Sequence, residues 1–294
     1  MTSRMDSPTF PRLQSLAVVH VTGLDARQFL QGQLTADLDA LDPQSVQLAA
    51  CNSPQGRVQA ILWLIDRGDG IALIMDRAIA EQTLTRLKRY VLRARVKFEI
   101  DALGIGLALS EQATNTDAHR RENELSFVRL PGVSRSLVIA PLSLLTDDAT
   151  QTQAFDVEYL RAGLPRIHSQ THEKFVAQML NIDVLGGISF TKGCYTGQEI
   201  IARTHYKGAI KRRMFRFRID AAAPSPGTRI LDGEQHAGDV VDAIDIESSD
   251  VAFGDVGSGA ELLAVITLQS KDATLRLEDG ASLQRLDLPY EVAD

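Results

Sequence analysis

One cysteine of this sequence lies in a setting that favours chemistry. Cys194 stands within the segment Lys192-Gly-Cys-Tyr-Thr-Gly-Gln-Glu199, with a glycine directly before it and another three positions after it. Glycines allow the backbone to bend sharply and leave space around the sulfur. The cations Lys192 and Arg203 are placed to lower the pKa of the thiol, which would favour the nucleophilic thiolate. The pattern predicts an accessible, reactive thiol; the alternative is a small residue buried in a tight turn.

The neighbours of this thiol admit two roles each. Gln198 and Glu199 either orient the cysteine loop or cap an element that begins near Gly197, and capping is the commoner role. Tyr195 is interpreted as a surface contact residue, with an amphipathic core ring as the alternative. The predicted functional loop comprises Lys192, Gly193, Cys194, Tyr195, Gly197, Gln198, Glu199 and Arg203. A single thiol cannot hold an iron–sulfur cluster, because such clusters generally need four ligands.

Basic residues form two further groups. The run Arg203, His205, Lys207 and Lys211 could bind carboxylates or phosphates, whereas the alternating residues 212–218 fit the solvated face of a strand. A second group, between residues 86 and 97, fits the exposed side of a helix and of the strand after it. No stacking motif accompanies these charges, so direct nucleic-acid binding is not expected. The six histidines are scattered and no Cys-x-x-Cys occurs, so no metal site is predicted.

Bulk properties limit the class of protein. A chain of 294 residues predicts two or three domains. The 44% hydrophobic and 23% charged residues are typical of a globular protein, and the net charge of −7 argues against a general polyanion binder. No apolar run is long enough to span a bilayer, and the first residues lack the apolar core of a secretory signal. The two cysteines, at 51 and 194, make no disulfide framework, so a cytoplasmic location is expected.

The patterns that must position these residues indicate an α+β fold. A strand is predicted at 17–22 and then a helix, with Asp25 and Gln28 as a capping box and an apolar face that extends to Leu38. Further strands are predicted at 46–50, 58–65, 71–75, 96–100, 105–109, 125–130 and 137–139, with helices at 77–90 and 153–161. Residues 110–123 read as a long loop. Short strands at 216–219, 228–231, 237–244, 262–268 and 273–277 predict a small all-β barrel or sandwich.

Several motifs together resemble a known family. The Lys192–Glu199 segment, with Ala202-Arg203 and Gly208-Ala-Ile-Lys-Arg212 after it, resembles the signature of the YgfZ-type folate-binding proteins. The likeness covers the chain nearly end to end. It includes Val21-Thr-Gly-Leu-Asp25, Phe29-Leu-Gln-Gly-Gln-Leu-Thr35, Tyr90-Val-Leu-Arg-Ala-Arg-Val96, Arg161-Ala-Gly-Leu-Pro165 and Leu185-Gly-Gly-Ile-Ser-Phe190.

The resemblance implies a fold like that of the tetrahydrofolate-dependent aminomethyltransferase of the glycine cleavage system. That fold is an α+β, three-domain cloverleaf around a central channel, with a ferredoxin-like middle domain and a C-terminal small β-barrel. On this basis residues 1–46 and 151–210 are expected to form a discontinuous folate-binding-type domain. Residues 47–150 would form an inserted α+β domain, and residues 211–294 the C-terminal β-barrel domain.

The resemblance also implies a function. Family members are associated with the folate-dependent maintenance of iron–sulfur proteins, including tRNA-modifying enzymes. The expected ligand is therefore tetrahydrofolate or a polyglutamylated derivative, and the expected partners are iron–sulfur client or assembly proteins. The same likeness implies a monomer. The first hypothesis for this chain is a non-catalytic or only weakly catalytic folate-linked factor.

Departures from the aminomethyltransferases limit what carries over. Gln59 and Ala60 stand where those enzymes have paired aspartates, which disfavours acid–base chemistry. Arg161 stands where a glutamate contacts the pterin, and Leu16 and Phe155 stand where some family members have tryptophans near the folate channel. Leu16, Phe155 and Arg161 are the predicted folate contacts. The alternatives are a one-carbon transfer enzyme acting on tetrahydrofolate and a pure protein-interaction module.

Overall fold

The computed structural model describes residues 8–100, 102–108, 118–246 and 259–292, which contain four sheets and four α-helices. The strands are β1 (Phe10–Pro11), β2 (Leu16–Thr22), β3 (Gln47–Asn52), β4 (Val58–Asp66), β5 (Ile71–Asp76), β6 (Lys97–Ile100), β7 (Gly104–Ala108), β8 (His119–Glu122), β9 (Leu125–Val128), β10 (Ser136–Ala140), β11 (Leu145–Thr146), β12 (Arg212–Ile219), β13 (Arg229–Asp232), β14 (Gln235–Ile246), β15 (Gly259–Thr267), β16 (Leu275–Leu277) and β17 (Gln284–Leu286). The helices are α1 (Ala26–Gln31), α2 (Arg77–Tyr90), α3 (Ala149–Arg161) and α4 (Gln198–Lys207).

A five-stranded antiparallel sheet in the order β3-β4-β5-β2-β6 forms the centre of the N-terminal half. The predicted strands at 58–65 and 71–75 are confirmed as β4 and β5, which pair as an antiparallel hairpin with Trp63 opposite Ile74. Most residues of these two strands are buried, which explains their continuous apolar sequences. The predicted helix at 77–90 is also confirmed as α2, and the Asp76 side chain caps it by accepting a hydrogen bond from the Ala78 N–H.

Helix α1 is shorter than predicted. It ends at Gln31, and Asp25 makes no side-chain cap, so the predicted capping box is wrong. The Asp25 carboxylate instead accepts hydrogen bonds from the backbone and the guanidinium of Arg95. Leu34 and Leu38 are buried as expected, but they lie beyond the helix. Their apolar spacing therefore reflects burial of an irregular segment rather than a helical face.

A second antiparallel sheet has the order β7-β10-β9-β8. Strand β8 lies inside the segment predicted as a loop, so that prediction is wrong for residues 119–122; residues 109–117 lie outside the described residues. The strand was missed because its sequence, His-Arg-Arg-Glu, buries only its first side chain. It is a strand because it pairs with β9, in the register His119 to Val128.

The C-terminal sheet has six strands in the order β16-β13-β14-β15-β12-β17. It confirms the predicted run of short strands and adds β17. Strand β12 begins at Arg212, four residues earlier than predicted. Phe215 and Phe217 on this strand pack in the same buried cluster as Leu262 and Ile266. The buried aromatic side chains alternate along β12, as expected for a sheet that packs one face against a hydrophobic core.

One of the predicted domain boundaries divides a sheet, and another falls between elements. Strand β2, from the first predicted segment, pairs with β5 and β6 of the predicted insertion, so a boundary at residue 46 divides one sheet. The boundary at residue 211 falls directly before β12. Helix α3 begins at Ala149, capped by the Asp148 side chain, and ends as expected before Gly163. The three-domain layout and the ferredoxin-like middle domain stay predictions. Within the described ranges, no helix has the length and apolar character needed to cross a membrane.

Candidate functional site

The structure exposes Cys194 at the surface and buries Cys51. Cys194 lies in an irregular segment that leads into helix α4. The segment is held from both sides, since the Ser189 N–H donates to the Thr35 carbonyl at 2.9 Å and the Thr196 N–H donates to the Gly32 carbonyl at 3.2 Å. The thiol thus stands on a loop whose ends are fixed by the segment that follows α1.

Lys192 anchors this loop from beneath. Its side chain is buried, and its ammonium donates to the carbonyls of Leu34 at 3.0 Å and Ala36 at 2.5 Å. Burial lowers the pKa of Lys192 to about 8, while the charges of Asp37 and Asp39 act in the opposite direction. The ammonium therefore binds the backbone carbonyls at 34–36. These contacts give Lys192 a role in positioning the loop, rather than the predicted role of a cation beside the sulfur.

Tyr195 is buried, so the interpretation as a surface contact is wrong and the alternative core ring is confirmed. The Lys192 ammonium lies 5.3 Å from the centre of this ring, a cation–π distance. Burial raises the pKa of Tyr195 to about 12. Cys194 is thus flanked on one side by a buried ring and, two positions earlier, by a buried ammonium.

The two glycines of the motif differ in their surroundings. Gly197 has φ +81°, and a Cβ added there would lie 2.7 Å from the Ser53 carbonyl oxygen. Gly193 has open space around the same position. Gly197 is therefore required by the close approach of the turn that follows β3, whereas Gly193 leaves the neighbourhood of the thiol uncrowded.

Helix α4 begins directly after Gly197. Gln198 is its first residue, and its backbone N–H donates to the Tyr195 carbonyl at 3.2 Å. Glu199 is exposed in the first turn, where a carboxylate complements the helix dipole. Arg203 is exposed one turn further on. Beyond it, the His205 ring stacks on Phe190 at 3.8 Å and meets Tyr206 edge-on.

The distal basic residues are not all solvated. Arg213 is buried on β12, where its guanidinium binds the Asp183 carboxylate at 2.7 Å and 3.0 Å and donates to the Gln178 carbonyl. The interpretation of residues 212–218 as a solvated face is therefore wrong at this position. The long alkyl stem of arginine and its paired charge make such burial possible.

Two of the three predicted folate contacts are buried, and the third is paired with a carboxylate. Phe155 is completely buried and its ring tilts against Tyr159 at 5.8 Å. The Arg161 guanidinium binds the buried carboxylate of Glu261 at 2.6 Å and 2.9 Å. Leu16 lines an internal cavity of about 20 Å³, which has room for a single water. Leu16 and Phe155 are therefore closed to a pterin ring in this conformation, whereas Arg161 is partly exposed and is held by its ion pair.

A much larger hollow lies beside Gln59. It has a volume of about 550 Å³, within the range of small-molecule sites. It is lined by Gln59, Glu81, Gln82, Thr83, Thr85, Arg86, Arg89, His172 and Glu173. The lining combines cations, carboxylates and amides, which suits a ligand that both donates and accepts hydrogen bonds. Ala60, the neighbour of Gln59, is fully buried and faces no ligand.

Glu173 is the residue of this hollow that sequence patterns did not reveal. Its carboxylate accepts a hydrogen bond from the Gln59 amide at 2.5 Å, across 114 positions of sequence. Its backbone has φ +58°, a left-handed conformation that costs free energy outside glycine and often marks a functional position. No signal in the sequence could have found it, because both the pairing and the strain arise from tertiary structure.

Cys51 is a core residue, as predicted. Its sulfur accepts a hydrogen bond from the Arg86 guanidinium at 3.1 Å, and the same guanidinium donates to the Asn52 carbonyl at 2.6 Å. Burial raises the pKa of the Cys51 thiol, which the Arg86 charge only partly opposes. Among the residues that the structure describes, no three ligating side chains come together in a metal-binding group.

Comparisons with known proteins identify the family. No protein-family model matches the chain. The tRNA-modifying protein YgfZ of Yersinia pestis (strain Pestoides F) is 32% identical, covering 97% of this chain and 93% of the relative. The protein of the same name from Edwardsiella ictaluri (strain 93-146) is 32% identical over 96% of this chain and 92% of its own.

A solved structure shows the fold. The glycine cleavage system aminomethyltransferase T from Bartonella henselae matches with a TM-score of 0.72 over 96% of this chain and 86% of that chain, at 12% sequence identity. The fold is therefore aminomethyltransferase-like, with mixed helix and sheet content. Taken with the near-complete match to its curated relatives, the chain belongs to the YgfZ family.

Proposed function

We propose that this protein is a folate-linked accessory factor that supports tRNA modification by maintaining iron–sulfur proteins in the cytoplasm, with Cys194 as its working thiol. The names of its relatives and the aminomethyltransferase-like fold support the general role. The observation that carries the specific role is the exposure of Cys194 on a loop that buried contacts of Lys192 and Tyr195 hold in place.

The chemistry of a single thiol limits what it does. One thiolate supplies one of the four ligands that a cluster generally requires, so the remaining ligands come from a client or assembly protein. This role needs an accessible sulfur on a rigid support and no second cysteine nearby. Cys51, being buried, takes no part in it.

We place the reduced folate, or its polyglutamylated form, in the hollow beside Gln59. Support comes from its volume of about 550 Å³ and from Gln59 itself, which stands where the aminomethyltransferases have a carboxylate. Arg89 and His172 provide groups for the glutamate part, and Glu173 with Gln59 accept and donate at the pterin. Leu16, Phe155 and Arg161 are not part of this assignment, because the first two are buried and the Arg161 guanidinium is bound to Glu261.

Complementation tests the thiol. A strain that lacks the protein should regain the activity of a radical-type iron–sulfur tRNA-modifying enzyme with the wild-type chain, and should not regain it with Cys194→Ser. Cys51→Ala is the matched control, because it removes the other sulfur and should restore activity. Full restoration by Cys194→Ser, at equal protein level, would reject the role of the thiol.

Calorimetry tests the folate. Tetrahydrofolate and its polyglutamates should bind saturably to the wild-type protein and more weakly to His172→Ala, whereas Leu16→Ala should bind as the wild type does. If saturating ligand gives no binding heat in the wild type, the folate assignment fails and the protein is better described as an interaction module. Light scattering on the same samples tests the expected monomer.

One observation favours the one-carbon transfer enzyme as a second candidate. Glu173 brings a carboxylate to the hollow where Gln59 lacks one, so an acid–base group is within reach of a bound ligand. Formation of methylenetetrahydrofolate from an aminomethylated carrier protein is the assay. Turnover that is lost in Glu173→Gln would establish this candidate, and the absence of turnover in the wild type would remove it.

A further inference from the structure

Two neighbouring loops expose leucines to solvent. Leu24, two residues before helix α1, has 82% of its surface exposed, and Leu92, two residues after α2, has 89%. They are the most exposed large hydrophobic side chains among the described residues, and Tyr90 beside them is 42% exposed. We call these three residues, with the cations Lys88, Arg93 and Lys97, the leucine surface.

The two loops are fixed to each other. The Arg95 N–H donates to the Asp25 carboxylate at 2.7 Å, and the Arg95 guanidinium binds the same carboxylate at 3.1 Å. Gly23 has φ +114°, and a Cβ there would collide with the Arg95 carbonyl oxygen. The leucines are therefore held in place by the surrounding backbone, so their exposure does not arise from loose loops.

Leu92 is held in a costly conformation. Its φ of +46° lies in the left-handed region, a strained conformation for a residue other than glycine. Asparagine or glycine would relieve that cost. An almost fully exposed leucine recovers little of it by burial within this chain, which indicates that the side chain is buried against something else.

The charge around the leucines specifies the occupant. Residues 86–97 carry six cations, and no aspartate or glutamate occurs between Gln82 and Phe98, in a chain whose net charge is −7. Lys88, Arg93 and Lys97 are exposed and lie outside the hollow beside Gln59. Such a concentration of positive charge complements an acidic partner and speeds its encounter.

Aliphatic anchors favour protein over nucleic acid. Leucine has no flat π-face on which a base can stack and no group that binds a phosphate, whereas it fills an apolar pocket well. We propose that the leucine surface docks an acidic protein that inserts apolar groups between Leu24, Tyr90 and Leu92.

Direct contacts connect this surface to the thiol loop. Tyr90 lies 5.2 Å beneath the Arg86 guanidinium, which reaches the Gln33 amide at 3.4 Å. The carbonyl of Gly32, one residue earlier, accepts the hydrogen bond of the Thr196 N–H. A partner held at the leucines therefore approaches the loop that carries the thiol. The identification of that partner as the client of Cys194 rests on the proposed function, whereas the docking itself does not.

Site-specific photo-crosslinking in living cells tests the docking. A benzophenone amino acid at position 24 or 92 should give crosslinks to acidic proteins, identified by mass spectrometry, in a yield about tenfold above that at position 142. Leu142 is the matched control because it is an exposed leucine outside the surface. Crosslinks to lipid or RNA, or yields equal to those of the control, would overturn the proposal.

Two substitutions separate docking from folding and from the thiol. Leu92→Asn should lower the yield at position 24 about tenfold and should leave the unfolding midpoint in urea unchanged or higher, because it relieves the strained backbone. Retained crosslinking in Leu92→Asn would contradict the proposal. Cys194→Ser should retain the crosslinks, so the loss of docking and the loss of thiol function are distinguishable.

Discussion

The two glycines of the cysteine motif should respond oppositely to the same substitution. Gly197→Ala places a methyl group 2.7 Å from the Ser53 carbonyl oxygen and 3.0 Å from the Asn52 Cβ, on a backbone with φ +81°. The left-handed conformation costs alanine about 1–2 kcal/mol, and crowding against fixed atoms adds about 1–3 kcal/mol. We therefore expect a loss of about 2–5 kcal/mol in the free energy of unfolding.

Gly193→Ala is the internal control. Its added methyl group meets nothing within 4 Å, and its backbone lies outside the left-handed region. Alanine at such a site reduces the entropy of the unfolded chain, so stability should stay level or rise by up to about 1 kcal/mol.

Urea unfolding followed by circular dichroism measures both variants. The measured free energies should differ by at least about 2 kcal/mol. Equal stabilities of the two variants would refute the assignment of Gly197 to backbone packing and of Gly193 to space around the thiol.

Three further outcomes follow from buried groups. Arg161→Ala leaves Glu261 buried without its cation and should lower the free energy of unfolding in urea by about 3–5 kcal/mol. Adding Glu261→Gln should largely reverse that loss. If the single and the double variant lose the same stability, the pairing is refuted. Burial is the largest single influence on His168 and opposes its protonation, but the hydrogen bond with Asp242 and the charges of Asp242 and Asp76 together outweigh it and raise the His168 pKa. The stability it contributes is complete below about pH 6.5 and is lost as the pH rises through the folded pKa, so the wild type should lose more stability than His168→Gln between about pH 6 and pH 8. Cys51 should resist a thiol reagent in the native protein, which should titrate one thiol, against two when denatured; two native thiols would contradict its burial.

Local patterns predicted the parts of the fold that local interactions decide. Helix α2 was predicted to the residue, because its apolar spacing and its Asp76 cap lie within the segment itself. The predicted capping box of α1 was wrong, because the carboxylate of Asp25 binds Arg95, 70 positions away. Strand β8 forms because it pairs with β9, and its polar sequence gives no sign of that pairing.

The same distinction applies to the site. The exposed thiol and the core position of Cys51 followed from their immediate neighbours. The burial of Lys192 did not, because its acceptors lie 156 and 158 positions away, at Ala36 and Leu34. Patterns of residue type identify which side chains can do chemistry, but a contact made across the whole chain decides which of them face solvent.

The ion pairs between the C-terminal sheet and the rest of the chain bear on how the protein can be divided. Glu261 and Asp242 are buried carboxylates of that sheet, and their cationic partners Arg161 and His168 precede it in sequence. A cut at residue 211 would leave both fragments with uncompensated charge in surfaces meant for burial. The C-terminal sheet is therefore not expected to fold as an independent domain. Truncated versions should be degraded in the cell, and the protein should unfold as one cooperative unit although its sheets are separate.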